Sequence, residues 1–455
     1  MQIPARVTVM GLGLFGGGLG AAEFFARNGS RVTVTDMKTE DDLRPSVEKL
    51  KDFPIRYRLG GHHESDFVET DLVVASPAVP RTSPFLQLAR EHGVSLETEI
   101  SLFFRLCRAP IVGITGSIGK TTTTSMIGAI LNNGARRVHV GGNIGRSLLG
   151  DAQSIAPQDI VVLELSSFQL EWLGEAGLSP AIAVVTNIYP NHLDRHGTME
   201  NYIAAKKNIV ANQPAGSTAV LNLDDAELCT WRDGLRCECL GFSTYAEPQD
   251  GSFVRDGRII LRRAGAETVV ADAGLLRLPG RHNVANALAA VAACSAAGAR
   301  VDSMAKALAE FEGIEHRLEL VCRRNGVLYY NDSKATAPES AMAALDAFDR
   351  RIVLIAGGYD KKVPLDKFAE KIFSKARVAI LIGKTADALA HRLDQYSREG
   401  FRWLRVASLE EAVSKAASLA ESGDVVLLSP ACASYDMFAN YEERGNRFKE
   451  LCRAL

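Results

Sequence analysis

Residues 110–122 read Pro-Ile-Val-Gly-Ile-Thr-Gly-Ser-Ile-Gly-Lys-Thr-Thr, an apolar strand that runs into a glycine-bearing loop and opens a long helical pattern. Strand, loop and helix in that order wrap backbone amides and a helix N-terminus around phosphate. A lysine then reaches the terminal phosphates, and a hydroxyl reaches Mg²⁺. The full G-x-x-x-x-G-K-[ST] pattern is broken, because Ile114 stands at its first glycine position. What survives, Gly116-Ser117-Ile118-Gly119-Lys120-Thr121-Thr122, predicts a nucleoside-triphosphate site on a parallel α/β framework.

Downstream of that loop, polar groups recur at the ends of apolar runs. Val161-Val162-Leu163-Glu164 ends in a carboxylate placed for Mg²⁺, and Ala181 to Thr186 leads into Asn187-Ile188-Tyr189-Pro190-Asn191-His192. A strand's carboxyl end is where open α/β sheets bind ligands, which makes His192 a candidate. A helix capped near Thr198 then lays Tyr202, Ala205 and Ile209 on an apolar stripe. Lys206 or Lys207 lies close to that stripe, and periodicity does not decide which. Further on, Asn331 to Thr336, Gly357 to Lys362, Gly383 to Thr385 and Ser429 to Ser434 follow strand patterns and predict a second small-molecule site.

Upstream, Arg6-Val7-Thr8-Val9-Met10 precedes Gly11-Leu12-Gly13-Leu14-Phe15-Gly16, and Asp36 ends the next strand. This is the context of a dinucleotide fingerprint, with glycines admitting a pyrophosphate and the acid accepting from ribose or base. NAD and UDP answer it equally well. The glycines also interrupt the apolar run, which fits a strand and turn better than a secretory h-region.

The 455 residues exceed one hydrophobic core. With 47% hydrophobic and 23% charged residues and a net charge of -2, the chain offers no strong field for nucleic acid or membrane. No run of about 18 apolar residues predicts a bilayer span. The eight cysteines never form a C-x-x-C pair, which fits free thiols in a reducing compartment. Cys237 and Cys239 could bind metal or simply share one face of a strand.

Alternating strand and helix patterns predict an α/β protein of three domains. These are a Rossmann-like N-terminal domain (1–107), a central P-loop ATPase-like domain (108–313) and a C-terminal Rossmann-like domain (314–455). Residues 236–273 alternate weakly and read as a small strand-rich excursion.

Taken in order, the P-loop, Leu163 to Glu171, Leu278-Pro279-Gly280-Arg281-His282-Asn283 with Asn286, His316-Arg317, Asn331 to Thr336, and Leu428 to Ser434 continuing through Arg444-Gly445 cover essentially the whole chain. In this the sequence resembles the Mur ligase family, and within it the branch that adds D-glutamate. The resemblance implies a cytoplasmic, monomeric ATP-dependent ligase that joins D-glutamate to UDP-N-acetylmuramoyl-L-alanine through an acyl-phosphate.

By the same resemblance, Gly116, Ser117, Gly119, Lys120, Thr121, Thr122, Asn283, Asn286, Arg317 and Asp332 bind ATP. Thr121 and Glu164 hold one Mg²⁺, while His192 and a carbamylated Lys206 hold a second. Gly13, Leu14, Phe15, Asp36, Ser76, Pro77, Asn143 and His192 contact the UDP substrate, and Thr336, Lys361, Ser434 and Tyr441 hold D-glutamate. The catalytic set is then Lys120, His192, Lys206 and Arg317, with no base assigned.

The chain departs from the family pattern at Ile118, Ala78 and Ala337, where asparagine, glycine and asparagine are usual. The first is expected to leave the phosphate-binding amides intact. Other amide ligases such as folylpolyglutamate synthase, a nicotinamide-dependent oxidoreductase and a non-catalytic nucleotide-binding regulator stay open as alternatives.

Overall fold

The computed structural model describes residues 2–13, 16–144, 147–360, 363–396 and 399–455, with only the backbone described at Asp194. Leu14, Phe15 and Lys361, three residues implicated by sequence, lie outside the described residues.

Three sheets carry the fold. The first contains β1 (Arg6–Met10), β2 (Arg31–Asp36), β3 (Ile55–Leu59), β4 (Leu72–Ala75) and β5 (Ser95–Glu97), in the order β3-β2-β1-β4-β5. All of its pairings are parallel. Val7, Val9, Val32, Val34, Val73 and Val74 are buried, because a parallel sheet with helices on its faces hides both sides of its central strands. Strand order reverses around β1 and β4, and the loops 11–13 and 76–79 leave from that switch point. Asp71 falls just outside β4, where its carboxylate accepts from the Arg6 backbone N at 2.9 Å and from its guanidinium at 2.7 Å.

The second sheet contains β6 (Ile111–Thr115), β7 (Val138–Gly142), β8 (Ile160–Glu164), β9 (Ile182–Val185), β10 (Thr218–Asn222), β11 (Glu238–Ser243), β12 (Gly251–Arg255), β13 (Arg258–Arg263) and β14 (Ala266–Asp272). Its order is β14-β13-β12-β11-β10-β9-β6-β8-β7. The segment read as an excursion is therefore an extension of this sheet, with β12 parallel to β11 and antiparallel to β13. β6 lies between β8 and β9, so the loops after these three strands are neighbours.

The third sheet contains β15 (Glu319–Arg324), β16 (Val327–Asn331), β17 (Ile352–Gly357), β18 (Ala376–Ile382), β19 (Arg402–Arg405) and β20 (Val425–Leu428), ordered β15-β16-β20-β17-β18-β19. Only the edge strand β15 runs antiparallel.

The chain gathers into two compact units, residues 1–271 with 286–307, and residues 272–285 with 308–455. The sequence reading cuts elsewhere, at 107 and 313. Leu278 explains why 272–285 joins the second unit: a Cβ on Gly313 would meet Leu278 Cδ2 at 2.7 Å, and one on Gly280 would meet Ala347 Cβ at 2.9 Å. Among the described residues, no helix is long and apolar enough to cross a membrane.

Candidate active site

At the end of β6 the chain turns through two glycines at positive φ, where a side chain would be strained and crowded. Gly116 has φ 145, and a Cβ there would lie 1.9 Å from Thr186 Oγ1; Gly119 has φ 87, and its Cβ would lie 2.4 Å from Asn286 Oδ1. Asn187, at the end of the neighbouring β9, brackets the loop. Its Oδ1 accepts from Ile118 N at 2.9 Å, its Nδ2 donates to Ile118 O at 2.9 Å, and its own carbonyl accepts from Ser117 N at 3.0 Å. The amides of Ser117 and Ile118 are engaged by Asn187, and the loop passes through Gly119 into the helix Lys120–Asn132.

Two amines meet beside this loop. Lys120 Nζ donates to Gly116 O at 2.9 Å and Ser117 O at 3.1 Å, while Lys206 Nζ donates to the same Gly116 O at 2.9 Å and to Thr115 Oγ1 at 3.3 Å. The helix Met199–Ala211, capped by Thr198, buries Tyr202, Ala205, Lys206 and Ile209 on one face. That settles the choice periodicity left open: Lys206 is 2% exposed, and Lys207 is exposed with its ammonium 5.7 Å from the Trp231 ring. Burial drives the Lys206 amine well below the usual lysine range, Lys120 pushes in the same direction, and Glu164 opposes both.

Glu164 ends β8 and is 2% exposed. Its Oε1 accepts from Asn143 Nδ2 at 2.9 Å, and its Oε2 is buried without a hydrogen-bond partner. Gly142, at φ 94, lets β7 lie close enough to place Asn143, because a Cβ there would stand 2.3 Å from Glu164 O. A buried carboxylate oxygen with nothing to accept, beside a P-loop, fits a divalent cation. Among the described residues no three of His, Cys, Asp and Glu cluster as a metal site.

His192, exposed and left-handed at φ 54, starts the short helix Leu193–His196. Its ring lies 5.2 Å from that of Phe168, and Phe168 stacks on buried His196 at 5.2 Å. His196 Nε2 meets Ser167 Oγ at 2.9 Å, and its ring lies 5.4 Å from that of Tyr202. The Tyr202 hydroxyl in turn meets Ser117 Oγ at 2.9 Å. Sequence reading gave His196 and Tyr202 no role. The packing of His196 on Phe168 is invisible in spacing, but the apolar stripe already held Tyr202.

Asp36, the acid of the fingerprint, is turned inward. Its Oδ2 accepts from Leu12 N at 2.9 Å and Gly13 N at 3.3 Å, and its Oδ1 accepts from Lys38 N at 2.9 Å. Ser76 packs on the same loop, since a Cβ on Gly11 would stand 2.9 Å from Ser76 Cβ.

Within the second unit, Asp332 is buried at the end of β16. Its Oδ2 accepts from Ser429 Oγ at 2.7 Å and its Oδ1 from Leu318 N at 3.2 Å. Burial pushes its carboxyl up to about 7 against the pull of Ser429 and Arg317. Arg317 presents a buried Nε without a hydrogen-bond partner, and Asn283 Nδ2 donates to Pro279 O at 2.7 Å.

Arg444, 1% exposed, ties the loop after β16 to the loop after β20. It donates to Ser333 Oγ at 3.0 Å, Ser333 O at 2.9 Å, Cys432 O at 3.1 Å and Ala433 O at 3.2 Å. It shapes the walls on which Thr336, Ser434 and Tyr441 stand, and Ser333 Oγ donates to Tyr441 O at 2.8 Å. Asn286, assigned to ATP with Asn283, belongs to the first unit, where its Oδ1 accepts from Thr123 Oγ1 at 3.3 Å.

The Mur ligase MurD-like N-terminal domain matches residues 5–97, the Mur ligase middle domain residues 114–294, and the Mur ligase glutamate ligase domain residues 316–432. A UDP-N-acetylmuramoylalanine–D-glutamate ligase of Symbiobacterium thermophilum is 42% identical over 457 residues, covering 100% of this chain and 99% of its own. A protein of the same name from Roseiflexus is 43% identical over 462 residues, covering 99% and 98%.

Among solved structures, the UDP-N-acetylmuramate-alanine ligase of Thermotoga maritima shares the fold at TM-score 0.61 and 21% identity, over 99% of both chains. A pseudomurein peptide ligase type C of Methanothermus fervidus does so at TM-score 0.60 and 20% identity, again over 99% of both. With three successive domain matches and full-length relatives well above 30% identity, the chain belongs to the Mur ligase family.

Proposed function

We propose that this protein is an ATP-dependent ligase that joins D-glutamate to UDP-N-acetylmuramoyl-L-alanine, in the cytoplasm and as a monomer. The observation that carries the reading is the pairing of a buried, uncharged-leaning Lys206 amine with the P-loop Lys120 on one carbonyl, facing a Glu164 oxygen that nothing satisfies. A neutral amine is the form that takes up CO₂, so Lys206 is suited to become a carbamate. The identity of the acceptor and amino acid follows the names of the full-length relatives.

In the first unit, Lys120 and the first-turn amides of the helix Lys120–Asn132, with Thr122 and Asn286 beside them, hold the triphosphate. Thr121 with Glu164, and His192 with carbamylated Lys206, are suited to two Mg²⁺ ions, which would neutralise charge on the phosphates when bound. Gly13, Asp36, Ser76, Pro77 and Asn143 serve the UDP-linked substrate, with Leu14 and Phe15 adjoining in sequence.

Arg317, Asp332 and Asn283 of the second unit serve ATP. Thr336, Lys361, Ser434 and Tyr441 serve D-glutamate. The substrate carboxylate attacks the γ-phosphorus of ATP and ADP leaves, giving an acyl-phosphate. The amine of D-glutamate then attacks that carbonyl carbon, phosphate departs, and the amine's proton passes to solvent or a nearby group. The functional modules are 1–107, 108–313 and 314–455.

The test is phosphate release from ATP with UDP-N-acetylmuramoyl-L-alanine and a panel of amino acids. D-glutamate alone should support turnover; a preference for L-lysine, diaminopimelate or L-glutamate refutes the assignment.

A further inference from the structure

Arg195 sits between two loops that the mechanism treats separately. One is the turn 76–79 of the first sheet: Arg195 Nη1 donates to Ala78 O at 2.5 Å, and Nη2 donates to Val79 O at 3.0 Å and Pro77 O at 3.4 Å. Three successive carbonyls converge on one planar guanidinium, a geometry only a forked donor can satisfy. The turn is otherwise held by Ser76 N donating to Met10 O at 2.8 Å and by Val79 N donating to Ser76 O at 2.9 Å.

The other side of Arg195 belongs to the triphosphate machinery. Its Cζ lies 5.1 Å from the centre of the Phe168 ring, and the same ring meets His192 and stacks on His196. Arg195 also lies in the four-residue helix that His192 starts, so its guanidinium bears on the direction in which that helix points. From His196 the contacts continue to Tyr202 and through its hydroxyl to Ser117 in the P-loop. An unbroken run of packed rings and hydrogen bonds thus links the turn 76–79 to the loop 116–119.

We propose that Arg195 is a positioning residue that makes the seating of the nucleotide-linked acid at the turn 76–79 and the seating of the triphosphate at the P-loop mutually favourable, by holding the turn and the His192 helix to one another. The proposal rests on the reading of that turn as part of the UDP-substrate site. An acid at Pro77-Ala78 would stiffen the turn, fix Arg195 against Phe168, and narrow the range of His192 orientations before ATP arrives. Coupling between two ligands is reciprocal, so ATP must strengthen binding of the acid by the same factor.

The test uses the full chain with Arg195→Met, which keeps the apolar stem over Phe168 and removes the fork, and Arg195→Lys, which keeps the charge. Amide hydrogen exchange without ligand should rise together at Ala78 and Val79 and in 193–197 for Arg195→Met, with the central strands β6, β8 and β9 unchanged. A rise in only one segment, or in neither, overturns the proposal.

Titration of UDP-N-acetylmuramoyl-L-alanine with and without Mg²⁺ and a non-hydrolysable ATP analogue should show about 5-fold or greater coupling in the wild type. Arg195→Met should bring that factor close to one, with Arg195→Lys between. Full coupling in Arg195→Met overturns the proposal, since a merely structural defect would weaken each ligand singly and leave their ratio intact. Failure of the wild type to bind the UDP compound refutes the assigned substrate instead, and the exchange result then decides for or against the clamp by itself.

Discussion

Asn143 Nδ2 holds Glu164 Oε1 at 2.9 Å and leaves Glu164 Oε2 buried with no hydrogen-bond partner. The amide thereby fixes the carboxylate's plane and leaves the other oxygen open, which under the proposed function is the one that meets a cation. Glu164→Gln should abolish turnover at ordinary Mg²⁺ levels. Asn143→Ala, which frees the carboxylate to rotate, should raise the half-saturating Mg²⁺ concentration by about 10-fold or more. Turnover against Mg²⁺ concentration measures both, and an unchanged Mg²⁺ dependence in Asn143→Ala would refute the orienting role.

Lys206→Ala is expected to lose most activity, with a short carboxylate such as acetate restoring part of it by standing in for the carbamate. Stability should move the other way. A lysine whose folded pKa lies below its unfolded value of 10.5 binds fewer protons when folded, so its penalty is fully present below the folded pKa and fades as pH rises towards 10.5. In CO₂-free buffer Lys206→Met should therefore be more stable than wild type near neutrality, with the margin shrinking at alkaline pH. Urea denaturation at several pH values reads this directly.

Asp332 carries the opposite signature. Its carboxyl titrates at about 7 in the folded chain against 3.8 for an aspartate free in water, so the folded form holds the proton more tightly. Stability from this group is complete below about 3.8 and is lost as pH climbs to about 7. Asp332→Asn should flatten that slope. If the ionised carboxylate serves ATP, kcat/KM should rise through an apparent pKa near 7, and Ser429→Ala should move that pKa upward by removing the hydroxyl that favours the charge. A profile indifferent to Ser429→Ala would refute the assignment.

Arg444 donates to three residues of two loops from a fully buried position. Arg444→Met leaves the Ser333 and Cys432 carbonyls without their donor, at about 1–3 kcal/mol for each that water cannot reach, while Ala433 O keeps its bond from Tyr359 N. The second unit should lose stability in denaturant titration, and KM for D-glutamate should rise more than KM for ATP.

Much of this was legible in the chain because it depends on local order. A P-loop, a carboxylate ending an apolar strand and a buried-face lysine follow one another within single strand–helix units, so Lys120, Glu164 and the Lys206 or Lys207 pair could be found by spacing. The contacts of Asn187, Arg195 and Arg444 could not, since each acts on a segment that only the strand order brings beside it. The same holds for 272–285, whose attachment depends on Leu278 meeting Gly313. Asp36 was found by its place in the fingerprint, but its bonds to the amides of its own glycine loop could not be read from spacing.

Two lysine amines, one of them stripped of water by burial, lean on the single Gly116 oxygen and make the resting loop a crowded arrangement. An arriving polyanion gives Lys120 a better companion and relieves its neighbour at once. Part of the affinity for nucleotide is then the removal of an internal conflict, which counting contacts in the bound state would never reveal. On this view a Lys206→Met chain, already relaxed, should gain less thermal protection from ATP than the native chain does.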